Sequence, residues 1–423
     1  MLDIEYIRNN AEKVKEGSKN KGVEVDVAKI LELDKKYKKA LQDTESLRAK
    51  RNEASQILGR DMDDNRREEH LREAEKLKIS LQETESSMKG VKKELDVLLL
   101  SIPNPAFDDV PVGSDGSGNV VLRQEGKKTD FKFEPKDYLE LAKQHDLIDI
   151  DRASKISGSR FGYLKNEAVL LEFALVRFAM DALGKEGFMP MVPPALIRHE
   201  FMDKLGYTAQ GGDEDIYRIE KDDLFLVGTS EQSLVPYFAD EILPESELPK
   251  RFAGFSTCFR REAGSYGKDT KGILRVHQFD KVEMVSFTTP ENSRNEHKLL
   301  LSLQEKLANA LEVPYQVVRM CTGDIGFPMA EKFDIESWIP SEGKYRETHS
   351  TSNATDFQAR RLNTRIKTKE GSKTYAHILN GTAYAIGRTL ITIIENHQDK
   401  DGNIRIPKAI QKYAGFDVIK KSK

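Results

Sequence analysis

Cysteine is almost missing: Cys258 and Cys321 are the only two in 423 residues. Two thiols cannot make a disulfide framework, and neither belongs to a CxxC pair, so no disulfide-held fold or structural zinc is indicated. Buried free thiols in a reducing cytosol are the expectation. No apolar run approaches the roughly 18 residues of a membrane span. The opening MLDIEYIRNN lacks the basic and apolar segments of a secretory leader. A cytoplasmic chain with no membrane partner is therefore expected. Charged residues make up 32% and the net charge is only −3, with a mean hydropathy of −0.58. That balance does not advertise nucleic-acid binding: any RNA contact falls to local patches, and DNA is not an expected partner. Neither a GxGxxG fingerprint nor a Walker-type loop occurs, so a bound ATP would be held by other means. What remains is chain enough for a large core in two or more domains.

The first hundred residues are organised by heptads. Residues 1 to 22 read as one short helix with a polar exit. Ile30, Leu33, Tyr37, Ala40, Thr44, Leu47, Arg51, Ala54 and Leu58 then follow a strict 3-4 spacing. Ala74, Leu77, Leu81, Thr84, Met88, Val91, Leu95, Leu98 and Ile102 do the same. Thr44, Arg51 and Thr84 are the weak points of these seams. The polar stretch GRDMDDNRREEH, 59 to 70, separates them, which predicts an antiparallel helical hairpin. A dimerising coiled coil and an arm that grips something large are both compatible with it. Lys35, Lys36, Lys38, Lys39, Arg48, Lys50, Arg51 and Arg60 outnumber Asp43, Glu45 and Glu53, and such a stripe suits a phosphate backbone. SIPNPAF ends the second helix, because residues before proline avoid the helical region. The domain boundary is placed there, giving 1–102 and 103–423.

The second region is α+β in character, and its centre is FSTCFRREAGSYGKDTKGILRVHQFDKVEMVSF, 255 to 287. Phe255 to Arg260 reads as a strand, Glu262 to Lys271 as a loop, and Leu274 to Phe287 as the return strand. Residues two apart share a face, so Phe279, Lys281 and Glu283 face one side together. Arg260, Arg261 and Glu262 stand where the first strand ends. Cations, a flat ring and carboxylates facing one pocket are the groups that hold a phosphate, a base and an ammonium.

Other candidates carry two readings each. Thr229 and Glu231 in LFLVGTSE are either a helix cap with its first-turn acid or a hydroxyl and carboxylate for an α-ammonium. ETHSTSNATDFQARR, 347 to 361, is either a capped loop before a helix or a set of oxygen ligands. NGTAYAIGRTLITIIENHQ, 380 to 398, reads as a turn and an apolar helix whose Arg388 either packs or meets an anion. In GFMPMVPPALI, Pro194 fits a proline-bearing edge strand.

FRREAGSYGKDTKG followed by RVHQFDKVEM resembles motif 2 of the class II aminoacyl-tRNA synthetases, and its wording is closest to the seryl-tRNA synthetases. The resemblance spans nearly the whole chain, with GFMPMVPPALI as motif 1 and the segment around Arg388 as motif 3. It implies a catalytic domain with an antiparallel β-sheet flanked by helices, behind an N-terminal hairpin arm that reaches the long variable arm of tRNA(Ser). It implies a homodimer with Pro194 at the interface. It implies that L-serine and ATP give seryl-adenylate, and that the seryl group passes to the 3′ end of tRNA(Ser), with tRNA(Sec) as a further acceptor. Arg260 would hold the α-phosphate and the serine carboxylate, Glu262 the adenine side, and Phe279 the base by stacking. Arg388 and Arg275 would neutralise the distal phosphates. Glu347 and Ser350 would hold Mg²⁺. Arg261, Val276, Thr348 and His349 complete the implied ATP set. Thr229, Glu231, Glu283 and Thr382 complete the serine set, with Arg260, Glu283 and Arg388 the implied catalytic residues. His349 stands where the pattern has a small residue, and Tyr384 is bulkier than the pattern. Two rivals are a ligase that passes serine to a carrier protein and a non-catalytic RNA-binding relative; the hairpin speaks against the first, and Arg260, Glu283 and Arg388 against the second.

Overall fold

The computed structural model describes residues 1–58, 64–263, 269 and 271–420, with the side chains of 209–211 excepted. The chain divides into two compact units, Met1–Pro103 and Asn104–Lys423.

In the first unit the expected single N-terminal helix is two, α1 (Ile4–Asn9) and α2 (Ala11–Asn20). They part at Asn10, whose backbone leaves the helical region (φ −136°) and whose side chain donates to Tyr6 O. The hairpin is α3 (Val27–Leu58) and α4 (Asp64–Leu100). α4 therefore includes 64–70, expected as a break. Asn-Arg-Arg-Glu-Glu-His has no apolar period, but most of it is good helix former; the rest of the expected break lies outside the described residues. Thr44–Met88 and Arg48–Glu85 contacts run in opposite chain directions, as antiparallel helices require. Thr44 and Thr84 sit in the seam by giving their hydroxyls to Ala40 O and Ser80 O. Arg51 is exposed and turns away from it to Asn52. Arg48 spends part of the basic stripe on Glu85, at 2.7 Å.

The second unit is built on one eight-stranded sheet. Its strands are β1 (Val120–Glu125), β2 (Met189–Met191), β3 (Lys250–Phe259), β4 (Gln278–Thr288), β5 (Tyr315–Arg319), β6 (Glu331–Ile339), β7 (Lys344–Asn353) and β8 (His377–Ala385). Their order is β1-β5-β6-β7-β8-β4-β3-β2. All neighbours are antiparallel except β2 and β3 at the edge. Three helices cover one face: α5 (Glu167–Gly184), α6 (Ser293–Ala310) and α7 (Ile386–Asn396). α6 shows why. Leu300, Leu303, Gln304 and Leu307 recur at helical spacing and are all buried, and the helix lies across β7 and β8. Among the described residues no helix is long and apolar enough to cross a membrane.

Two segments differ from expectation. Glu347–Asn353, expected as a loop, is strand β7, and Asn380–Ala385, expected as a turn, is strand β8. Their hydroxyls and amides masked the alternation, because both faces of these central strands are covered and period-2 polarity is lost.

Candidate active site

The face of the sheet opposite these three helices carries a cavity of about 370 Å³. Its floor is the β3–β4 ribbon, in which Phe279 pairs with Cys258, Lys281 with Ser256 and Glu283 with Gly254. Phe279, Lys281 and Glu283 all line the cavity, as their alternation demands. The return strand begins only at Gln278. Leu274–His277, expected as strand, is a loop, so Arg275 and Val276 reach the cavity from its rim. Alternation also decides between the two arginines at the end of β3. Arg260 turns in, its Nε donating to Gly228 O at 3.2 Å and its guanidinium 5.5 Å from the Phe279 ring centroid. Arg261 turns out, over Tyr217 and onto Ile216 O, and does not line the cavity.

One end of the cavity is built of buried, mutually bonded groups. Glu283 and Thr382 are cross-strand partners on β4 and β8, just beyond a bulge that leaves Ala383 unpaired. A bulge re-aims the side chains beside it, and here Thr382 Oγ1 donates to Glu283 Oε2 at 3.1 Å. Lys281 Nζ lies 3.0 Å from the same oxygen. Thr229 accepts from the N–H of Glu231, as a cap does, and still lines the cavity. Glu231 accepts from Tyr207 Oη at 2.8 Å and from Gln358. Burial, reinforced by Glu283, raises the Glu231 carboxyl to about 7. Burial and the two carboxylates hold the Tyr207 hydroxyl well above its ordinary range, so it donates. Sequence reasoning missed Tyr207, Gln358 and a role for Lys281. Tyr207 sits in a glycine-rich segment read as a flexible loop, and no local pattern ties it to Glu231.

The other end is charged and more open. A strand places residues three apart on opposite faces, yet Glu347 and Ser350 both line the cavity. The reason is a second bulge: Glu336 pairs with Glu347 and Ile335 with His349, leaving Thr348 over. Thr348 borders the cavity with its hydroxyl committed to Ser337 and Ile335 O. His349 goes to the helix side. It is buried, bonds Thr348 Oγ1, packs 5.9 Å from the Tyr384 ring and is lowered by burial to about 4. His349 is therefore not among the residues that line the cavity. It and Tyr384, both departures from the family pattern, pack against each other behind the sheet. Arg388, in the first turn of α7, donates to Glu347 O and lies 3.3 Å from its carboxylate. Partial desolvation would raise the Glu347 carboxyl, whose side chain is still 46% exposed, but Arg388, Lys332 and Arg260 outweigh it and hold it at about 2. Glu262 pairs with Arg275. An adjoining hollow of about 200 Å³ adds Arg346, paired with Asp269; Arg346 too was missed.

Behind the sheet one side chain joins the two ends. The β7–β8 ladder stops at Thr351–Gly381. Past it the strands separate, and Gln304 Nε2, fully buried on α6, donates to both Ser350 O (2.7 Å) and Thr382 O (2.9 Å). It satisfies carbonyls that the missing ladder would have left bare.

Residues 1–106 match the seryl-tRNA synthetase N-terminal domain, and residues 214–397 match the tRNA synthetase class II core domain (G, H, P, S and T). The chain is 45% identical to a serine–tRNA ligase of Dictyoglomus turgidum, with 100% of both chains covered. It is 43% identical to that of Rubrobacter xylanophilus, with 99% of both covered. Among solved structures it is similar to the seryl-tRNA synthetase of Pyrococcus horikoshii complexed with ATP, at 40% identity, complete coverage of both chains and a TM-score of 0.92. The cytoplasmic serine–tRNA ligase of Naegleria fowleri in complex with AMP is 30% identical with a TM-score of 0.88, covering 100% of this chain and 99% of that one.

Proposed function

From the premise that this chain belongs to the seryl-tRNA synthetase family, we propose that its cavity activates L-serine with ATP and charges tRNA(Ser). The observation that carries the reading is the buried Glu283–Thr382 pair, at 3.1 Å, set between Glu231 and the arginine-lined end. Glu231, with Thr229, receives the α-ammonium, and Glu283 with Thr382 receives the side-chain hydroxyl. Arg260 holds the serine carboxylate against the α-phosphate; a forked guanidinium suits both. Phe279 is a flat surface for the base, and Glu262 and Val276 border it. Arg275 and Arg388 meet the distal phosphates.

The carboxylate oxygen attacks the α-phosphorus, a P–O bond forms and pyrophosphate leaves. The terminal hydroxyl of the tRNA then attacks the seryl carbonyl carbon and AMP leaves, taking the bonding pair. Neither step needs a protein nucleophile, so the protein acts by alignment and charge stabilisation. Glu347, kept ionised, and the Ser350 hydroxyl are hard oxygen donors facing the cavity and fit Mg²⁺, whose remaining ligands are substrate phosphates. When bound, that ion supplies charge neutralisation on the phosphates. The helical hairpin is assigned to tRNA(Ser). A homodimer is assigned to the face of Leu170, Phe173, Met189 and Val192, apolar side chains that are all exposed in a single chain; sedimentation tests it.

ATP–pyrophosphate exchange with each of the twenty amino acids tests the activation. Serine alone should support it strongly, and stronger exchange with another amino acid would overturn the reading. Removing residues 30–102 should abolish charging yet leave exchange intact; undiminished charging would reassign the hairpin.

A further inference from the structure

Lys281 is buried in the cavity wall, has no part in the chemistry above, and touches the residue on which serine selection turns. Lys281 and Glu283 lie two apart on β4, with side chains only 7% and 3% exposed. Lys281 Nζ and Thr382 Oγ1 converge on one oxygen, Glu283 Oε2, at 3.0 and 3.1 Å. Among the described residues, Oε1 has no hydrogen-bond partner, and Glu283 borders the cavity. One carboxylate oxygen is thus clamped and the other is left to a ligand.

A buried carboxylate selects a substrate hydroxyl only when its free oxygen is held in one place, which requires the other oxygen to be anchored. Two cations stand near. Arg260 is directed to Gly228 O and the Phe279 ring; Lys281 alone contacts Glu283. Building on the serine-activating reading, we infer that Lys281 is a specificity-determining positioning residue. Its ammonium, with the Thr382 hydroxyl, fixes Oε2, so that Oε1 receives the hydroxyl of serine. The charged and titratable groups that face Lys281 are Glu283 on its own strand, Glu231 at the helix start, Cys258 on β3 and Arg260 beyond it, with Tyr207 joined through Glu231. Lys281 also pulls the Glu231 carboxyl down, against the burial that raises it. Both carboxylates of the amino-acid end therefore depend on this one cation.

The experiment compares Lys281→Met, Lys281→Arg and Glu283→Gln in the full chain, by serine- and alanine-dependent ATP–pyrophosphate exchange across neutral pH. Lys281→Met should raise the serine KM about 10- to 100-fold, the worth of a hydrogen bond to a charged group. The ATP KM should stay put, the acid limb of kcat/KM for serine should move to higher pH, and the preference over alanine should narrow. Lys281→Arg should recover most of the loss. A Lys281→Met serine KM within about threefold of wild type, or an unmoved acid limb, would overturn the role. If Lys281→Met loses ATP binding, Lys281→Gln is judged by the same two criteria. Glu283→Gln separates the levels. If it abolishes serine preference while Lys281→Met keeps it, only the role of Lys281 falls. If it too keeps serine preference, the serine reading of the cavity falls with it.

Discussion

The two ends of the cavity solve opposite problems with different materials. The amino-acid end is made of side chains from strands and a helix start, nearly all buried and already bonded to one another: Glu283, Thr382, Lys281, Glu231, Tyr207 and Gln358. The phosphate end is made of arginines from a loop rim, a strand end and a helix turn, each paired with a carboxylate: Arg275 with Glu262, Arg346 with Asp269, Arg388 with Glu347. Selecting one small hydroxyl needs fixed acceptors that suffer when the hydroxyl is missing. Holding a triphosphate needs charge that can change partners, and on the proposed reading the paired carboxylates would keep those arginines in place until phosphate oxygens replaced them. Fixed geometry gives selection; exchangeable charge gives grip.

The contrast breaks first at the fixed end. Glu283→Ala should lower serine-dependent exchange by roughly 10³-fold or more, since a site built around a substrate hydroxyl discriminates by about 10⁴ to 10⁵. ATP binding alone should be spared, and near-normal exchange would remove Glu283 from the serine site. At the charged end, Arg388→Ala should cost roughly 10²- to 10³-fold in kcat, the scale of losing one transition-state donor. It should also release Glu347 from its strongest cationic neighbour and so lower the metal concentration needed for half-maximal rate, because that cation competes with Mg²⁺ for the carboxylate. A defect confined to the serine KM would contradict its placement.

A pH titration separates the ends without mutation. The Glu231 carboxyl sits at about 7, above its ordinary value, so it is neutral below that pH and ionised above it. A neutral Glu231 cannot pair with the ammonium of serine. The serine KM should rise by up to about tenfold for each pH unit below 7, and the ATP KM should not follow. Glu347, held near 2, stays ionised throughout this window. A serine KM flat from neutral to mildly acid pH would mean that Glu231 does not meet the ammonium.

The legibility of the molecule divides along similar lines. The heptad seams announced the hairpin, because a repeat over four heptads needs no tertiary knowledge. Phe279, Lys281 and Glu283 were legible as one face, because a strand's period is local. Glu347 with Ser350 and Glu283 with Thr382 were legible only by resemblance to a family. Their geometry depends on two bulges, at Thr348 and Ala383, and a bulge has no signature in these residues. His349 faces the helix side for the same cause, since a one-residue change of register sends a side chain to the other face. Tyr207 and Gln358 were invisible, since they reach Glu231 from 24 and 127 positions away.

The smallest expected effect tests whether the two ends are independent at all. Gln304 touches no substrate; it lies on the helix side of the sheet and is fully buried. Its amide holds Ser350 O at the phosphate end and Thr382 O at the amino-acid end, where the β7–β8 ladder has stopped. Gln304→Leu keeps the apolar bulk but leaves both carbonyls without a donor, and the strands on either side lose their common tether. The KM values for serine and for ATP should then rise together, each by about threefold to tenfold, the worth of a neutral hydrogen bond. A merely destabilised protein would lose active molecules and lower kcat without moving either KM. A rise in one KM alone would mean that each end is positioned by its own strand. A joint rise would mean that the separation of two strands, bridged by one amide, sets the distance between the group that selects serine and the group that meets the nucleotide.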